Sequence, residues 1–320
     1  MPLRIVFCGT PEFALPSLRL LLEQADFRVE AVVTQPDRPR GRGQRVSSSP
    51  VKDAALDAGV AVYQPEKIKS DSAFDFLSRV APDIVVIIAY GQIIPQRLLD
   101  IPRLGWINLH GSLLPKYRGA APINWAIINR ETRTGVTTMQ VEAGLDTGPI
   151  LLKREVEIGA DETAPELAAR LAEIGAPFVA ETLRGLERGK LKAQPQDNSQ
   201  ATFAHLLKKE DGRIDWSQPA WAIYNRIRGL QPWPGAFTTF HGKICHVWGR
   251  PAAEDITSVA RETKPAALGE IVVRGGDIIV ACGSATALRI EFVQLEGRKR
   301  ITAREFASGA HLTSVDRFES

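Results

Sequence analysis

The stretch Trp106-Ile107-Asn108-Leu109-His110-Gly111-Ser112-Leu113-Leu114-Pro115 decides how the N-terminal part of the chain folds. Large apolar side chains at 107 and 109 alternate with polar ones at 108 and 110, which is the period-2 pattern of a β-strand. The alternation ends at Gly111, and Pro115 prevents it from resuming. The pattern therefore predicts a strand whose end carries an amide and an imidazole side by side. In an open parallel α/β sheet, ligands bind at that edge.

The segments around this strand alternate between two patterns. Apolar runs predict strands at 4–7, 29–34, 60–63 and 84–89, and helical periodicity predicts helices at 12–23, 50–58, 72–80, 120–129 and 163–188. Strands that alternate with helices at this spacing predict an α/β fold with a doubly wound, mostly parallel sheet. Strands 135–141 and 150–158 lie too close for a helical crossover, so we expect an antiparallel pair at the sheet edge.

The pattern changes near Gly189. Residues 190–201 are polar and unpatterned, which is typical of a linker. Beyond it, the patterns predict a helix at 218–229 and five short strands, at 236–240, 243–250, 269–274, 277–282 and 287–294. Turns at His241-Gly242 and Gly275-Gly276 fit hairpins, and the short strands favour a small β-barrel of the OB type. We therefore expect an N-terminal domain over 1–189, a linker over 190–208 and a C-terminal β-barrel domain over 209–320.

The composition favours a soluble, cytoplasmic protein. Of the 320 residues, 44% are hydrophobic and 24% charged, both ordinary for a globular protein. No apolar run reaches the roughly 18 residues that a membrane span requires, and the N-terminus lacks the features of a signal peptide. Cys8, Cys245 and Cys282 are scattered and in no CxxC spacing, which disfavours a disulfide framework or a zinc site and favours a reducing cytosol.

The basic residues are unevenly distributed. The net charge is +3; residues 1–204 carry 24 basic and 24 acidic side chains, whereas residues 205–320 carry 16 and 13. This excess is a mild signal of polyanion binding by the C-terminal part. The sharper feature is a loop interrupted by Gly and Pro that contains four arginines, Arg38, Arg40, Arg42 and Arg45. Two interpretations stay open: a solvated loop without a function, or a hinged segment whose guanidinium groups bind nucleic-acid phosphates.

Asn108, His110 and Asp146 form the constellation with the clearest chemistry. An imidazole can accept or donate a proton near neutral pH, and a neighbouring carboxylate fixes its tautomer and favours its charged form. An amide N–H directed at a developing oxyanion supplies electrostatic stabilisation. Asp146 lies between Gly144 and Gly148, which would let the backbone approach a ligand closely. Residue types alone leave an alternative open, in which His110 is a hydrogen-bonded strand-end histidine and Asp146 a turn aspartate.

Other active-site chemistries fit the sequence less well. A Gly-x-Ser-x-Gly nucleophile elbow is absent, and Ser112 follows His110 too closely to assure a Ser–His pair. The five histidines are dispersed without a His-x-x-x-His spacing, so we expect no metal. Gly9 stands alone, without the Gly-x-Gly-x-x-Gly of a dinucleotide site, which disfavours an NAD-dependent enzyme.

Several blocks of the sequence resemble the folate-dependent formyltransferases in residues, order and spacing. They are Phe7-Cys8-Gly9-Thr10-Pro11-Glu12-Phe13-Ala14, Ala89-Tyr90-Gly91-Gln92-Ile93-Ile94-Pro95, residues 108–122 and Gly144-Leu145-Asp146-Thr147-Gly148-Pro149-Ile150. Further blocks at 36–43, 214–216 and 231–236 resemble the members that act on methionyl-tRNA. A resemblance over nearly the whole chain favours the catalytic interpretation of the constellation and the nucleic-acid interpretation of the arginine loop.

The resemblance implies a Rossmann-like formyltransferase fold and an OB-like barrel that binds tRNA. It implies transfer of a formyl group from 10-formyltetrahydrofolate, a cosubstrate, to the α-amino group of methionyl initiator tRNA. Asn108, His110 and Asp146 match the catalytic trio. The positions that match the folate site are Tyr90, Gly91, Gln92, Ile93, Ile94, Ser112, Leu113, Leu114, Pro115, Gly144 and Thr147. The positions that match tRNA contacts are Arg38, Arg40, Arg42, Arg45 and Lys209.

Two rival interpretations are weaker. A formyltransferase for an amino-sugar nucleotide or a purine precursor would need neither the arginine loop nor a basic second domain. A non-catalytic tRNA-binding protein would not need the intact trio. We therefore expect an enzyme of translation initiation that binds the folate donor and initiator tRNA without a metal or a membrane. Because its acceptor is large and asymmetric, we expect a monomer.

Overall fold

The computed structural model describes the backbone of residues 1–40, 45–252, 267–312 and 316–319, and their side chains except at 39, 40, 45 and 46. The chain divides into two compact units. One comprises Met1–Ile123, Arg133–Ile158 and Glu166–His205, and the other comprises Asn124–Thr132, Gly159–Pro165 and Leu206–Ser320. Across the described ranges, no helix combines the length and apolar character that crossing a membrane requires.

The part of the chain before residue 206 alternates strands and helices. Its strands are β1 (Leu3–Gly9), β2 (Phe27–Val33), β3 (Arg38–Arg40), β4 (Arg45–Ser47), β5 (Ala61–Tyr63), β6 (Ile84–Ile88), β7 (Trp106–His110), β8 (Arg118–Gly119), β9 (Arg133–Gln140), β10 (Ile150–Glu157) and β11 (Phe203–Ala204). Its α-helices are α1 (Leu15–Glu23), α2 (Pro50–Asp57), α3 (Asp71–Val80), α4 (Gln96–Leu99), α5 (Pro122–Ile128) and α6 (Ala164–Glu187), and short 3-10 helices cover Glu12–Ala14 and Asn198–Gln200.

One sheet organises the first unit, with the strand order β10-β9-β7-β6-β1-β2-β5. Strands β7, β6, β1, β2 and β5 are parallel neighbours, whereas β9 and β10 run antiparallel at one edge. The predicted mostly parallel sheet and its antiparallel edge pair are therefore confirmed. Strand β6 is buried along its whole length, as expected for a strand that is covered on both faces.

The register of β6 and β7 positions the site. Ile87 of β6 pairs with Asn108 of β7, so the carboxyl ends of these parallel strands lie at the same edge. The loops that follow them, 89–95 and 111–117, therefore start side by side. Two small pairs that the pattern did not predict complete the unit: β3 with β4, and β8 with β11.

The second unit consists mainly of antiparallel strands. They are β12 (Phe237–Phe240), β13 (Lys243–Pro251), β14 (Ile271–Arg274), β15 (Asp277–Cys282), β16 (Thr286–Leu295) and β17 (Ile301–Thr302), with helices α7 (Ala220–Gly229) and α8 (Ala303–Gly309) and a 3-10 helix at Lys209–Gly212. The sheet has the order β12-β13-β16-β15-β14, and β17 pairs with β16. Both predicted hairpins, β12-β13 and β14-β15, are confirmed.

The described strands of this unit do not close into a barrel, because β12 and β14 do not pair with each other. Instead, C-terminal residues reach both edges: Glu319 bridges Thr239 of β12, and Arg317 bridges Glu270 beside β14. Phe318 between them is buried in the core. The antiparallel C-terminal domain is confirmed, whereas the OB-type barrel stays a prediction.

Candidate functional site

His110 at the end of β7 is oriented by hydrogen bonding. Its imidazole is buried, with 5% of the residue exposed, and its Nε2 lies 2.9 Å from the Tyr117 carbonyl oxygen. A carbonyl oxygen only accepts, so Nε2 carries the hydrogen and donates it. The other nitrogen, Nδ1, lies 3.7 Å from Oδ2 of Asp146. Two members of the predicted trio are therefore brought together at a distance that permits electrostatic attraction but exceeds a hydrogen bond.

The same carboxylate oxygen of Asp146 is also held by a backbone donor. Oδ2 accepts a hydrogen bond from the backbone N–H of Gly119 at 2.8 Å. The residue is partly buried, and its backbone adopts a left-handed conformation with φ of 51°. One oxygen of the carboxylate thus contacts both a backbone donor and the imidazole.

Asn108 lies on the same strand, two residues before His110, so the two side chains project from the same face. The Asn108 residue is partly buried. Within the described part of the chain, its carboxamide makes no hydrogen bond to protein. Asn108 and His110 therefore lie on one face of β7, with Asp146 beside His110, and the amide donors of Asn108 are available to another group.

The loop that carries Asp146 folds back along the sheet. Gln140, the last residue of β9, pairs with Ile107, which precedes His110 by three residues, yet the loop returns to His110. A Cβ atom on Gly148 would lie 1.9 Å from the Gln140 carbonyl oxygen. Glycine was predicted at 148 to let the backbone approach a ligand, and the structure adds a second requirement: the Gly148 backbone packs closely against the backbone of Gln140.

The turn Ser112–Pro115 is anchored by neighbouring strands. The hydroxyl of Thr137 on β9 donates to the Ser112 carbonyl at 2.6 Å and accepts from the Leu114 N–H at 3.2 Å. The ammonium of Lys153 on β10 donates to the Leu114 carbonyl at 2.7 Å. No local pattern marked Thr137 or Lys153, because their role follows from strand pairing. The Ser112 hydroxyl donates to the Lys116 carbonyl at 2.6 Å, and this gives it a structural role.

The loop after β6 is held by side-chain amides. Gln35 donates to the Tyr90 carbonyl at 2.9 Å, and the Gln92 side chain bonds both Gln35 and the N–H of Ile68. The Tyr90 side chain is buried, and this burial raises the pKa of its phenol above the usual value. Ile93, by contrast, is 82% exposed. Of this predicted folate-binding segment, Tyr90 and Gln92 face the protein and Ile93 offers an apolar surface to solvent.

Three of the predicted tRNA-binding arginines lie on a short hairpin: Arg38 and Arg40 on β3 and Arg45 on β4, with Arg40 paired to Arg45. Arg38 is exposed, Arg42 lies outside the described residues, and the side chains of Arg40 and Arg45 are also outside them. Asp37 at the base of the hairpin accepts hydrogen bonds from Lys52 and Gln64, which hold the pKa of its carboxyl below the usual value. Lys209 is an exposed residue of the second unit.

No group of three or more His, Cys, Asp or Glu side chains that could hold a metal ion occurs among the described residues. Cys8, Cys245 and Cys282 are free and buried.

Comparison with known proteins gives matches over almost the entire chain. A family model described as Formyl transferase matches residues 3–183, and one described as Formyl transferase, C-terminal domain, matches residues 206–311. The methionyl-tRNA formyltransferase of Solibacter usitatus (strain Ellin6076) is 54% identical over 316 residues, which are 98% of each protein. That of Geobacter metallireducens (strain ATCC 53774 / DSM 7210 / GS-15) is 51% identical over 312 residues, 97% of this chain and 96% of the relative.

Solved structures share the fold. A sugar 3N-formyl transferase, solved in the presence of dTDP and 5-N-formyl-THF, has a TM-score of 0.68 and 19% identity over 93% of this chain and 100% of its own. The N-formyltransferase from Helicobacter canadensis, in complex with folinic acid and dTDP-3-aminofucose, has a TM-score of 0.66 and 16% identity over 91% and 99%. At these identities the comparison supports the architecture alone.

Proposed function

Because the chain belongs to the formyl transferase family and is 54% and 51% identical to two methionyl-tRNA formyltransferases, we propose that it formylates the α-amino group of methionyl initiator tRNA, with 10-formyltetrahydrofolate as the donor. The product, formylmethionyl-tRNA, would serve translation initiation. The observation that carries the proposal is the distance of 3.7 Å between Oδ2 of Asp146 and Nδ1 of His110. Asn108 lies on the same strand as His110 and projects from the same face.

We assign Asn108 and His110 to the oxyanion. In formyl transfer, a neutral amine attacks the formyl carbon and a tetrahedral intermediate carries the negative oxygen. The Asn108 amide and a protonated His110 would donate hydrogen bonds to that oxygen, which is the electrostatic stabilisation that acyl transfer requires. Among the described residues the Asn108 carboxamide has no protein hydrogen-bond partner, which supports this assignment.

The remaining step moves one proton. The attacking amine must lose a proton, and N10 of the folate must gain one before the C–N10 bond breaks. Because Nε2–H is engaged by the Tyr117 carbonyl, Nδ1 is the nitrogen of His110 that would exchange this proton. Nδ1–H of the protonated His110 would give its proton to N10 as the C–N10 bond breaks. The neutral imidazole, directly or through a water ordered by Asp146, would then take the proton that the amine loses, and Asp146 would keep the ring oriented.

The substrates would bind on different parts of the chain. We propose that the pterin ring lies against the backbone of 90–94, with the turn Ser112–Pro115, Gly144 and Thr147 completing the folate site. The adjacent carboxyl ends of β6 and β7 support this. We propose that Arg38, Arg40, Arg42, Arg45 and Lys209 contact the tRNA, and that the arginine loop enters its acceptor stem.

We also propose that residues 1–189 form the catalytic domain, 190–208 the linker and 209–320 an OB-like barrel that binds tRNA. The bridges from the C-terminal residues to both edges of the second sheet support a barrel-like closure. We propose a cytoplasmic monomer that binds no membrane.

One assay tests the function. The protein is incubated with 10-formyltetrahydrofolate and methionyl-tRNA, and formylmethionine on the tRNA is measured. An amino-sugar nucleotide and a purine-precursor amine serve as alternative acceptors in parallel reactions. Formylation of an alternative acceptor alone, or binding of tRNA without formylation, would overturn the proposal.

The tRNA role of the arginine loop has its own test. We expect Arg42→Ala to raise KM for methionyl-tRNA and to reduce the slope of log affinity against log salt by about 0.7–0.9. KM for the folate should stay unchanged. Arg79→Ala, which removes an exposed arginine from α3, is the matched control. An unchanged salt slope in Arg42→Ala would mean that the loop is merely solvated.

A further inference from the structure

The segment between the two family matches lies against the loop that carries Asp146, which is the catalytic loop of the proposed function. The matched ranges end at 183 and resume at 206, so they leave out the residues that follow α6. Within this gap, Gln194 pairs with Ile150, and Ala204 pairs with Gly119. We call residues 194–204 the strap.

The side chain of Gln196 reaches from the strap to the loop that carries Asp146. Residues 192–195 and 197–200 are exposed, whereas Gln196 is partly buried. Its Nε2 donates to the carbonyl oxygens of Asp146 at 2.8 Å and Gly148 at 2.7 Å. Both hydrogens of the amide therefore bind the backbone of the loop that carries the proposed catalytic carboxylate.

The other end of the Gln196 amide is fixed as well. Its Oε1 accepts from Nε and Nη2 of Arg118 at 3.1 and 2.7 Å, and Arg118 is itself buried, with 4% exposed. Nη2 of Arg118 also donates to Oδ1 of Asn198 at 2.9 Å. Arg118 precedes Gly119, whose N–H binds the Asp146 side chain. One amide group thus connects the backbone of Asp146 to the segment that binds its carboxylate.

The approach of the strap to this segment is close. A Cβ atom on Gly119 would lie 2.5 Å from the Ala204 carbonyl oxygen, at a φ of 122°. The strap therefore packs against Gly119, the residue whose backbone N–H binds the Asp146 carboxylate.

We propose that Gln196 is a positioning residue that holds the Asp146 carboxylate next to His110 by donating to the carbonyls of Asp146 and Gly148. The inference rests on the proposed function for its kinetic consequence, but the geometry it describes can be measured separately. It gives the strap a role in formyl transfer that polar composition alone does not indicate.

Three variants separate the contacts. Gln196→Ala removes all of them. Gln196→Glu keeps the acceptor for Arg118 but loses both donors and places negative charge against two carbonyl oxygens. Asn198→Ala is the matched control, because it weakens the support of Arg118 and leaves the donors to the catalytic loop in place.

We expect Gln196→Ala and Gln196→Glu to lower kcat about 10- to 100-fold, with KM for the folate and for methionyl-tRNA within about threefold of wild type. Asn198→Ala should keep kcat within about threefold. Rescue of kcat by Gln196→Glu would overturn the proposal, since only the contact with Arg118 would then matter. A loss of equal size in Asn198→Ala would overturn it too.

A second measurement does not depend on activity. The Gly119 amide binds Asp146, so its hydrogen exchange reports whether that carboxylate stays in place. We expect about tenfold faster exchange at Gly119 in Gln196→Ala and Gln196→Glu, and wild-type exchange in Asn198→Ala. Equal exchange in all four proteins would overturn the positioning role. If the wild-type protein did not formylate methionyl-tRNA and the four proteins still showed the expected exchange pattern, only the proposed function would be refuted, and the positioning role would stand.

Discussion

Replacement of Gly148 by alanine tests whether the placement of Asp146 depends on the fold of its own loop. The added Cβ atom would lie 1.9 Å from the Gln140 carbonyl oxygen. A carbon–oxygen contact requires roughly 3.3 Å, so one of the two backbones must move by roughly 1.4 Å. Gln140 pairs with Ile107 inside the sheet, which favours movement of the loop. Asp146, two residues away, would move with it.

A displacement of this size has a kinetic consequence. Misplacement of a catalytic group by roughly 1 Å costs about 10²-fold in rate, so we expect kcat of Gly148→Ala to fall by about that factor. Overpacking should destabilise the protein by about 1–3 kcal/mol, which leaves a folded enzyme. Steady-state formylation with each substrate varied, together with thermal unfolding, measures both effects.

The control is Gly309→Ala at the end of α8, where an added Cβ would meet nothing within 4 Å. Its kcat should equal that of wild type. If Gly148→Ala also retained kcat within about threefold, a displaced Asp146 would be kinetically harmless, and the argument from loop geometry would be refuted. A loss shared by Gly309→Ala would show that the assay responds to glycine replacement in general.

Three further outcomes are expected. Asn108→Ala should lower kcat about 10²–10³-fold in the formylation assay while KM changes little, and near-normal kcat would remove Asn108 from the oxyanion site. Hydrogen bonds from Lys52, and to a smaller extent from Gln64, stabilise the charged Asp37 carboxylate and lower its pKa, so Asp37→Asn should be less stable than wild type at neutral pH. This difference should shrink as the pH falls from about 4 through the lowered pKa; urea midpoints across that range check it, and a constant difference would contradict it. Phe318→Ala should lower the free energy of unfolding, measured in urea, by about 3–5 kcal/mol, because the ring is buried and its centroid lies 5.6 Å from that of the stacked Trp216 ring. A loss near zero would mean that the C-terminal bridges are dispensable.

Local patterns predicted the parts of the fold that local physics determines. The apolar run at β6 and the alternation at β7 are properties of a few adjacent residues, and both strands lie where they were predicted. Helix α2 begins at Pro50, where the helix was predicted; the Ser49 side chain accepts from the Lys52 N–H, and Pro50 occupies the first helical position. The antiparallel edge pair followed from a length argument, because a short connection leaves no room for a crossover helix.

The parts that were not predicted depend on partners distant in sequence. Thr137 and Lys153 carry no local signal, and they hold the turn after β7 because β9 and β10 pair beside it. The approach of Asp146 to His110 requires a loop that folds back along the sheet, and this path depends on what meets it. Residue types suggested the trio, whereas its geometry follows from long-range contacts that a one-dimensional pattern does not contain.

The strap shows what polarity alone leaves open for such a segment. Buried carbonyl groups need donors, and an irregular loop has no ladder neighbour to supply them. A side-chain amide can supply two N–H groups and still accept at its oxygen, so glutamine suits a loop that must be connected to a second backbone. Gln196 does this for Asp146 and Gly148 while Arg118 binds its oxygen. A polar, unpatterned sequence next to a catalytic loop is therefore equally consistent with a solvated linker and with a hydrogen-bonded support. The two are distinguished by whether side chains of the segment donate to carbonyl oxygens of the loop.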